Sequence, residues 1–188
     1  MSDLKSIQKT LKEKSSPEGK AAHEKFVPGL EKAYGTRAPV INALAKQYKD
    51  RDFDLVEALW EGEHIEEKIL AAKLLGHIAK KNPDKTLSLI KKFSKDVTDW
   101  AVCDTLAMQS PKKINKSHSK EIFQIANTYI SSKNLWQRRL AIVLVEWYTR
   151  NKNFHPAIRQ LLKKVENDNE YYVKKAVVWI NRNFRKGR

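Results

Sequence analysis

"RRLAIVLVE" (Arg138–Glu146) holds an unbroken apolar run, Leu140–Val145, inside a helical stretch over 135–150. A helix that is apolar nearly all round needs neighbours on both sides. Three other stretches align with it: "KILAAKLLG" from Lys68, "CDTLAMQS" from Cys103 and "KKAVVWINR" from Lys174. The second residues of the four, Ile69, Asp104, Arg139 and Lys175, stand 35, 35 and 36 residues apart. Each motif falls on the second helix of a predicted pair. A fixed period of that length is the signature of an α-helical solenoid, in which each pair buries its apolar face only against the next.

The rest of the chain agrees. Prolines sit where helices begin, as in "SSPEGK" around Pro17, "TRAP" (Thr36–Pro39), "KNPD" (Lys81–Asp84), "QSPK" (Gln109–Lys112) and "NFHPA" (Asn153–Ala157). Pro28-Gly29 is expected to kink or break a helix. There is no sustained alternation and no Asn-Gly or Asp-Gly hairpin signal. The periodicity predicts helices over 3–14, 17–33, 39–48, 54–61, 65–80, 83–93, 98–109, 118–131, 135–150, 155–165 and 169–185. The first is amphipathic through Leu4, Ile7 and Leu11. The period is close to that of tetratricopeptide repeats, but their Trp-Leu-Gly-Tyr and Ala-Phe-Pro patterns are missing, and short HEAT-like pairs fit better. The expected fold is all-α: a right-handed superhelical solenoid of HEAT-like antiparallel helix pairs with a concave basic groove, one domain over 1–188.

Charge narrows the function. The net charge is +15 and the pI near 9.8, while 41% of residues are hydrophobic, so this is a folded basic protein and not a basic tail. From Ser131 to Arg188 there are 14 Lys/Arg against 4 Asp/Glu, a net of +10. Such an excess repels itself unless a polyanion neutralises it, which points to nucleic acid before acidic membrane. One cysteine, Cys103, excludes an internal disulfide and a cysteine-based zinc site. The five histidines, His23, His64, His77, His118 and His155, lack metal-ligand spacing, and no Gly-rich phosphate loop occurs. No metal or other cofactor is expected. No run approaches the roughly 18 apolar residues of a membrane helix, and "MSDLKSIQKTLKEK" has no signal-peptide core. A cytoplasmic monomer is the default expectation.

"DVTDWAVCDTLA" (Asp96–Ala107) puts an indole, Trp100, and a carboxylate, Asp104, on one stripe of an otherwise apolar helix. The repeat register adds Arg139 and Lys175. Three charges at one register of apolar helices are expensive inside a core and useful on a groove wall. Taken singly, Asp104 reads as a capped or salt-bridged acid, and Trp100 and Trp179 as core aromatics. Arg138 reads equally as a phosphate contact or as the partner of a neighbouring acid. Trp136 and Trp147 read as inter-repeat packing, and Cys103 as a packed thiol. "KKINKSHSK" (Lys112–Lys120) reads as a solvated loop, a phosphate contact being the weaker alternative.

These residues carry a resemblance. "YGTRAPVINALAKQY" (Tyr34–Tyr48), "DWAVCD" (Asp99–Asp104), "LWQRRLAIV" (Leu135–Val143) and "KKAVVWINRNFRK" (Lys174–Lys186) resemble the AlkD-type DNA alkylation repair glycosylases, which are HEAT-like repeat proteins. With matching spacing the resemblance covers most of the chain. It implies hydrolysis of the N-glycosidic bond of cationic N3- and N7-alkylated purines in double-stranded DNA. The family's Trp-x-x-x-Asp looks like Trp100 and Asp104, its arginine like Arg139, and its second tryptophan like Trp179. A family tyrosine in an early helix falls at Phe26, which lacks the hydroxyl. Arg138, Lys174, Lys175 and Arg182 are the expected further DNA contacts.

The chemistry is consistent with those residue types. A purine alkylated at N3 or N7 already carries positive charge and leaves without a general acid. What needs stabilising is the cationic character developing on the deoxyribose, and a water must be placed; one carboxylate can do both. Indole faces suit a cationic base or its sugar. Arginine is expected to hold a phosphate and to keep the carboxylate ionised by lowering its pKa. Most glycosylases flip the target base into a pocket; no deep-pocket motif occurs here, and the resemblance implies a lesion left stacked or exposed while the protein grips its backbone. The competing readings are a non-catalytic HEAT-like protein that recognises damaged or branched DNA by shape and charge, and a protein scaffold. The Trp/Asp/Arg/Trp set favours the enzyme over the first, and the charge disfavours the second.

Overall fold

The computed structural model describes residues 2–27 and 32–185, the side chains of Phe26 and Arg185 excepted. Among the described residues eleven α-helices follow one another: α1 (Asp3–Glu13), α2 (Pro17–Phe26), α3 (Ala38–Gln47), α4 (Phe53–Trp60), α5 (Ile65–Ile78), α6 (Pro83–Phe93), α7 (Trp100–Gln109), α8 (Ser119–Tyr129), α9 (Leu135–Leu144), α10 (His155–Lys163) and α11 (Tyr171–Arg185). There is no strand among the described residues, only an isolated bridge between Ser15 and Thr36. The expected helix starts hold because their caps are present. The side chains of Ser2, Ser16, Asp52, Asn82, Asp99 and Asn134 each accept a backbone N–H from the first turn of the following helix, and Pro17 and Pro83 open theirs.

Two helices differ from expectation. The helix predicted over 17–33 ends at Phe26, and residues 32–35 are not helical; Pro28-Gly29 lies outside the described residues. The non-helical path of residues 34–36 rests on Glu66. Its carboxylate accepts the consecutive backbone N–H groups of Tyr34 (3.0 Å), Gly35 (2.7 Å) and Thr36 (3.0 Å), so these donors are turned away from a helix. Gly35 carries the positive φ of 90° that this path requires. The stretch predicted as one helix over 135–150 is α only to Leu144, and Glu146–Arg150 tightens into 3₁₀ turns. There the buried Tyr148 hydroxyl donates to the Asn115 carbonyl at 2.8 Å.

The packing is that of an all-α solenoid. α3 packs on α5, α5 on α7, α7 on α9 and α9 on α11, an unbroken inner row; α6 and α8 pack together outside it, and α8 also packs on α9. The buried apolar residues form one continuous core, with Leu70, Leu74, Leu75, Leu106 and Leu140–Leu144 in the inner row. Burying each such side chain contributes about 1.5–3 kcal/mol. Contact between α5 and α7 depends on Gly76, where a Cβ would fall 2.0 Å from the Gln109 carbonyl oxygen. Beside it the buried Ser110 hydroxyl donates to the Ala72 carbonyl at 3.0 Å.

Candidate functional site

Two members of the register read from the sequence, Asp104 and Arg139, are neighbours in space. On α7, Asp99 caps the helix: its Oδ1 accepts from the N–H of Ala101 (2.7 Å) and of Val102 (2.9 Å). That fixes the first turn and sets Trp100 at its head, with Asp104 one turn further on. Trp100 is half-buried and packs against the core.

Asp104 meets Arg139 of α9 in a bidentate pair. Arg139 Nε donates to Oδ1 at 2.8 Å and Nη2 to Oδ2 at 2.7 Å, while Nη1 donates to the Tyr172 carbonyl of α11 at 2.6 Å. One guanidinium thus joins three inner helices. Arg139 is buried, 7% exposed, whereas the Asp104 side chain keeps 22% exposure. Each carboxylate oxygen has a lone pair left beyond its bond to Arg139.

This geometry changes the electrostatics expected for the site. Burial pushes the Asp104 carboxyl above its ordinary value, and the hydrogen bonds and charge of Arg139 offset that only in part. The expected lowering is therefore reversed in sign: desolvation outweighs the arginine. The planar fork of Arg139 is also directed at Asp104 and not at open space. Asp99 is likewise raised, by burial first, against the N–H groups of Val102 and Ala101 that lower it, with the Asp104 charge adding to the rise. Burial drives the Cys103 thiol well above its usual range, and its Sγ sits 3.5 Å from the Trp136 carbonyl oxygen. A thiol so protonated is no nucleophile.

The other expected residues divide into two groups. Lys174, Lys175, Trp179 and Arg182 share one face of α11, where with Tyr171 and Val178 they line a half-open depression of about 460 Å³. The Lys175 ammonium lies 4.9 Å from the Tyr171 ring centroid. Tyr171 and Val178 are the exposed large apolar residues, at 58% and 56%. Sequence reasoning missed both, although the spacing 171, 174, 175, 178, 179, 182 is itself one helical face. Arg138 belongs elsewhere. Its Nε donates to Asp168 Oδ2 at 2.6 Å, its Nη2 to Oδ1 at 3.3 Å and its Nη1 to the Ser132 and Lys133 carbonyls. It is the partner of a neighbouring acid, and its fork is occupied as a clamp between the loops before α9 and α11. Phe26 is the last residue of α2, and its side chain lies outside the described residues.

Sequence reasoning also missed Tyr172. Its ring packs on Trp136 at 5.0 Å between centroids, and its carbonyl receives Arg139. A backbone acceptor leaves no signal in residue type. Among the described residues no group of His, Cys, Asp and Glu could hold a metal ion, and no helix is long and apolar enough to cross a membrane.

Comparison with known proteins identifies a family through one family model. A family model described as DNA alkylation repair enzyme matches residues 7–186. No curated protein matches the chain. Among solved structures, one described as a predicted DNA alkylation repair enzyme from Enterococcus faecalis superposes with a TM-score of 0.78. It is 18% identical, and the match covers 93% of this chain and 84% of that one. At that identity the likeness is one of fold.

Proposed function

The chain belongs to the DNA alkylation repair enzyme family, and on that premise we propose that it is a monofunctional DNA glycosylase that hydrolyses the N-glycosidic bond of cationic N3- and N7-alkylated purines in duplex DNA. The observation that carries this reading is a desolvated carboxylate, Asp104, pinned by Arg139 on the inner row yet still reachable at 22% exposure. Its charge faces the cation that develops at the sugar C1′ as the glycosidic electron pair withdraws into the alkylated base, which leaves neutral. A water hydrogen-bonded to the free lone pair adds to C1′, and its proton passes by way of the carboxylate to solvent. Fixed charge in a partly dry site acts more strongly than in water and needs no reorganisation during the reaction.

Trp100 and Trp179 are assigned to the cationic base and its sugar, and Lys174, Lys175 and Arg182 to the phosphates. The depression around Trp179 is half open to solvent, which leaves room for an exposed or still stacked lesion. The test is release of free N7-methylguanine from a methylated duplex under single-turnover conditions. One observation favours a second reading, a non-catalytic protein that binds damaged or branched DNA: both Asp104 oxygens are already paired with Arg139, as in a structural ion pair. Tight binding to the methylated duplex with no base released selects that reading.

A further inference from the structure

A second group of cations stands at the C-terminal turns of α5 and α7. The approach of the two helices at Gly76 brings Lys73 and His77 of α5 beside Lys112 and Lys113, which follow α7. The Lys113 ammonium donates to the His77 carbonyl at 2.7 Å. The Lys73 ammonium is lowered by burial first and then by the charge of Lys112. The His77 imidazole is lowered by burial, then by Lys113, Lys112 and Lys49, with Asp50 opposing. Among the described residues none of Lys49, Lys73, Lys112 and Lys113 forms an ion pair with a carboxylate. Four lysines gathered with no carboxylate paired to them, one of them half-buried, cost free energy that a bound anion would recover.

The position of the group says which anion. Lys73 and His77 follow Ile69 by four and eight residues along α5, on the same helical stripe. At 1.5 Å per residue the group begins about 6 Å from the register of Ile69, at Lys73, and reaches about 12 Å at His77. That displacement runs along the helix axes, across the row, whereas the cations of α11 lie further along the row. A duplex backbone that follows the row past Asp104 toward Lys175 has its partner backbone beside it. A minor groove about 6 Å wide sets the two phosphate lines about 12 Å apart once the phosphates are included.

We propose that Lys73, Lys112 and Lys113, with Lys49 and His77 at their edge, form a second phosphate site that holds the strand opposite the lesion. This rests on the reading that the inner row faces duplex DNA, and not on the chemistry assigned to Asp104. The site makes the protein a reader of two backbones, and binding to a lesion in single-stranded DNA should be weaker for lack of it.

The experiment uses the full chain and duplexes carrying one N7-methylguanine on a 2′-fluorinated sugar that resists base loss, in which single phosphates on the lesion strand or on its complement are replaced by neutral methylphosphonates. Lys112→Gln, exposed and free of structural bonds to the core, is the first variant, and Lys73→Gln/Lys112→Gln the second, with thermal unfolding to check the fold of each. Expected is a several-fold loss of duplex affinity and a salt slope reduced by about 0.9 for each phosphate released. Methylphosphonates on the strand opposite the lesion should then weaken the wild type but not the double variant, and those on the lesion strand should weaken both. Variants that bind duplex with wild-type affinity and slope overturn the site, as does coupling spread equally over both strands; an acidic protein as the true partner would give the first of these results. Failure of the wild type to release base, with the strand-specific coupling intact, would leave this site standing and remove the glycosylase.

Discussion

Asp104 and Arg139, 35 residues apart in sequence, face each other across two parallel hydrogen bonds of 2.8 and 2.7 Å. The pair spans the seam between two repeats, and the third bond of the guanidinium, to the Tyr172 carbonyl, crosses the next seam. The arginine therefore sets the orientation of the carboxylate, and a backbone atom of a third helix sets the orientation of the arginine.

The first expectation concerns that orientation. On the glycosylase reading, Asp104→Asn removes the charge that answers the developing cation, and base release should fall by about 10²–10³-fold or more. Duplex affinity should stay equal or improve, because repulsion with phosphates is relieved. Arg139→Lys keeps a cation but not the planar fork, so rate should suffer more than affinity. Single-turnover kinetics beside titrations separates the two. A lysine variant equal to wild type in both would remove the positioning role of the fork.

A second expectation follows from the protonation of Asp104. Its carboxyl is raised by burial in the fold, so on acidification it takes up a proton earlier than an ordinary aspartate would. Catalysed release, after subtraction of the uncatalysed reaction, should therefore lose its ionised carboxylate at a pH above the ordinary aspartate range. Arg139→Gln removes the only influence holding the value down, and its acid limb should move to still higher pH. The sign for stability is opposite to that of a salt-bridged surface acid. Since the folded state binds this proton more tightly than the unfolded chain, Asp104 costs stability at neutral pH, and that cost is relieved as pH falls through the raised value.

The parts of this site that were legible in sequence are those that repeat. The 35-residue register placed Asp104 beside Arg139 because inner helices of a solenoid stack in phase, whereas Asp99, expected inside a helix over 98–109, is its cap. The sign of the Asp104 shift was not legible, since it depends on how dry the seam is and sequence spacing carries no dielectric. Nor was the fate of Arg138: which of two adjacent arginines turns toward Asp104 and which toward Asp168 is decided by the phase of α9. The helix expected over 17–33 ends at Phe26, and the non-helical path of residues 34–36 rests on Glu66, a buried carboxylate 0% exposed that binds their three consecutive N–H groups from a distant helix, a contact local propensity does not contain.

Arg138 supplies the third expectation. Both members of its pair with Asp168 are largely buried, and the arginine also closes two carbonyls of the preceding loop. Arg138→Ala should cost about 3 kcal/mol of unfolding free energy, since it leaves a buried carboxylate without its partner. Burial raises Asp168, but Arg138 and the Glu170 N–H bring it below its ordinary value. Its contribution is thus present above the ordinary aspartate value and lost as pH falls through the folded one. Denaturant titrations of wild type and variant at neutral and acid pH should therefore converge at the acid end. A large loss of duplex affinity at unchanged stability would instead return Arg138 to the DNA face.

The last expectation concerns α11, where charge and ring are held on one face. Lys175 rests over Tyr171 and is exposed, and Arg182 lies about two turns further along with Trp179 between them. If this face follows a phosphate backbone, Lys175→Gln and Arg182→Gln should each weaken binding to any duplex sequence alike, and each should reduce the salt slope by about 0.9. Lys175→Arg should be nearly silent, because a point charge is all the position needs. Trp179 should behave differently. It is half-buried, so Trp179→Phe keeps a ring and most of the packing while shrinking the π surface offered to a cationic base. Its loss should appear in the rate of base release from methylated duplex and hardly at all in the affinity for undamaged duplex. Salt-dependent titrations and single-turnover release, run on the same four variants, give the comparison. If Trp179→Phe loses affinity for undamaged DNA as the charge variants do, the ring is part of the backbone grip and not of lesion recognition. If Lys175→Gln and Arg182→Gln leave the salt slope untouched, the exposed face of α11 does not meet phosphates, and the duplex must run elsewhere on the inner row.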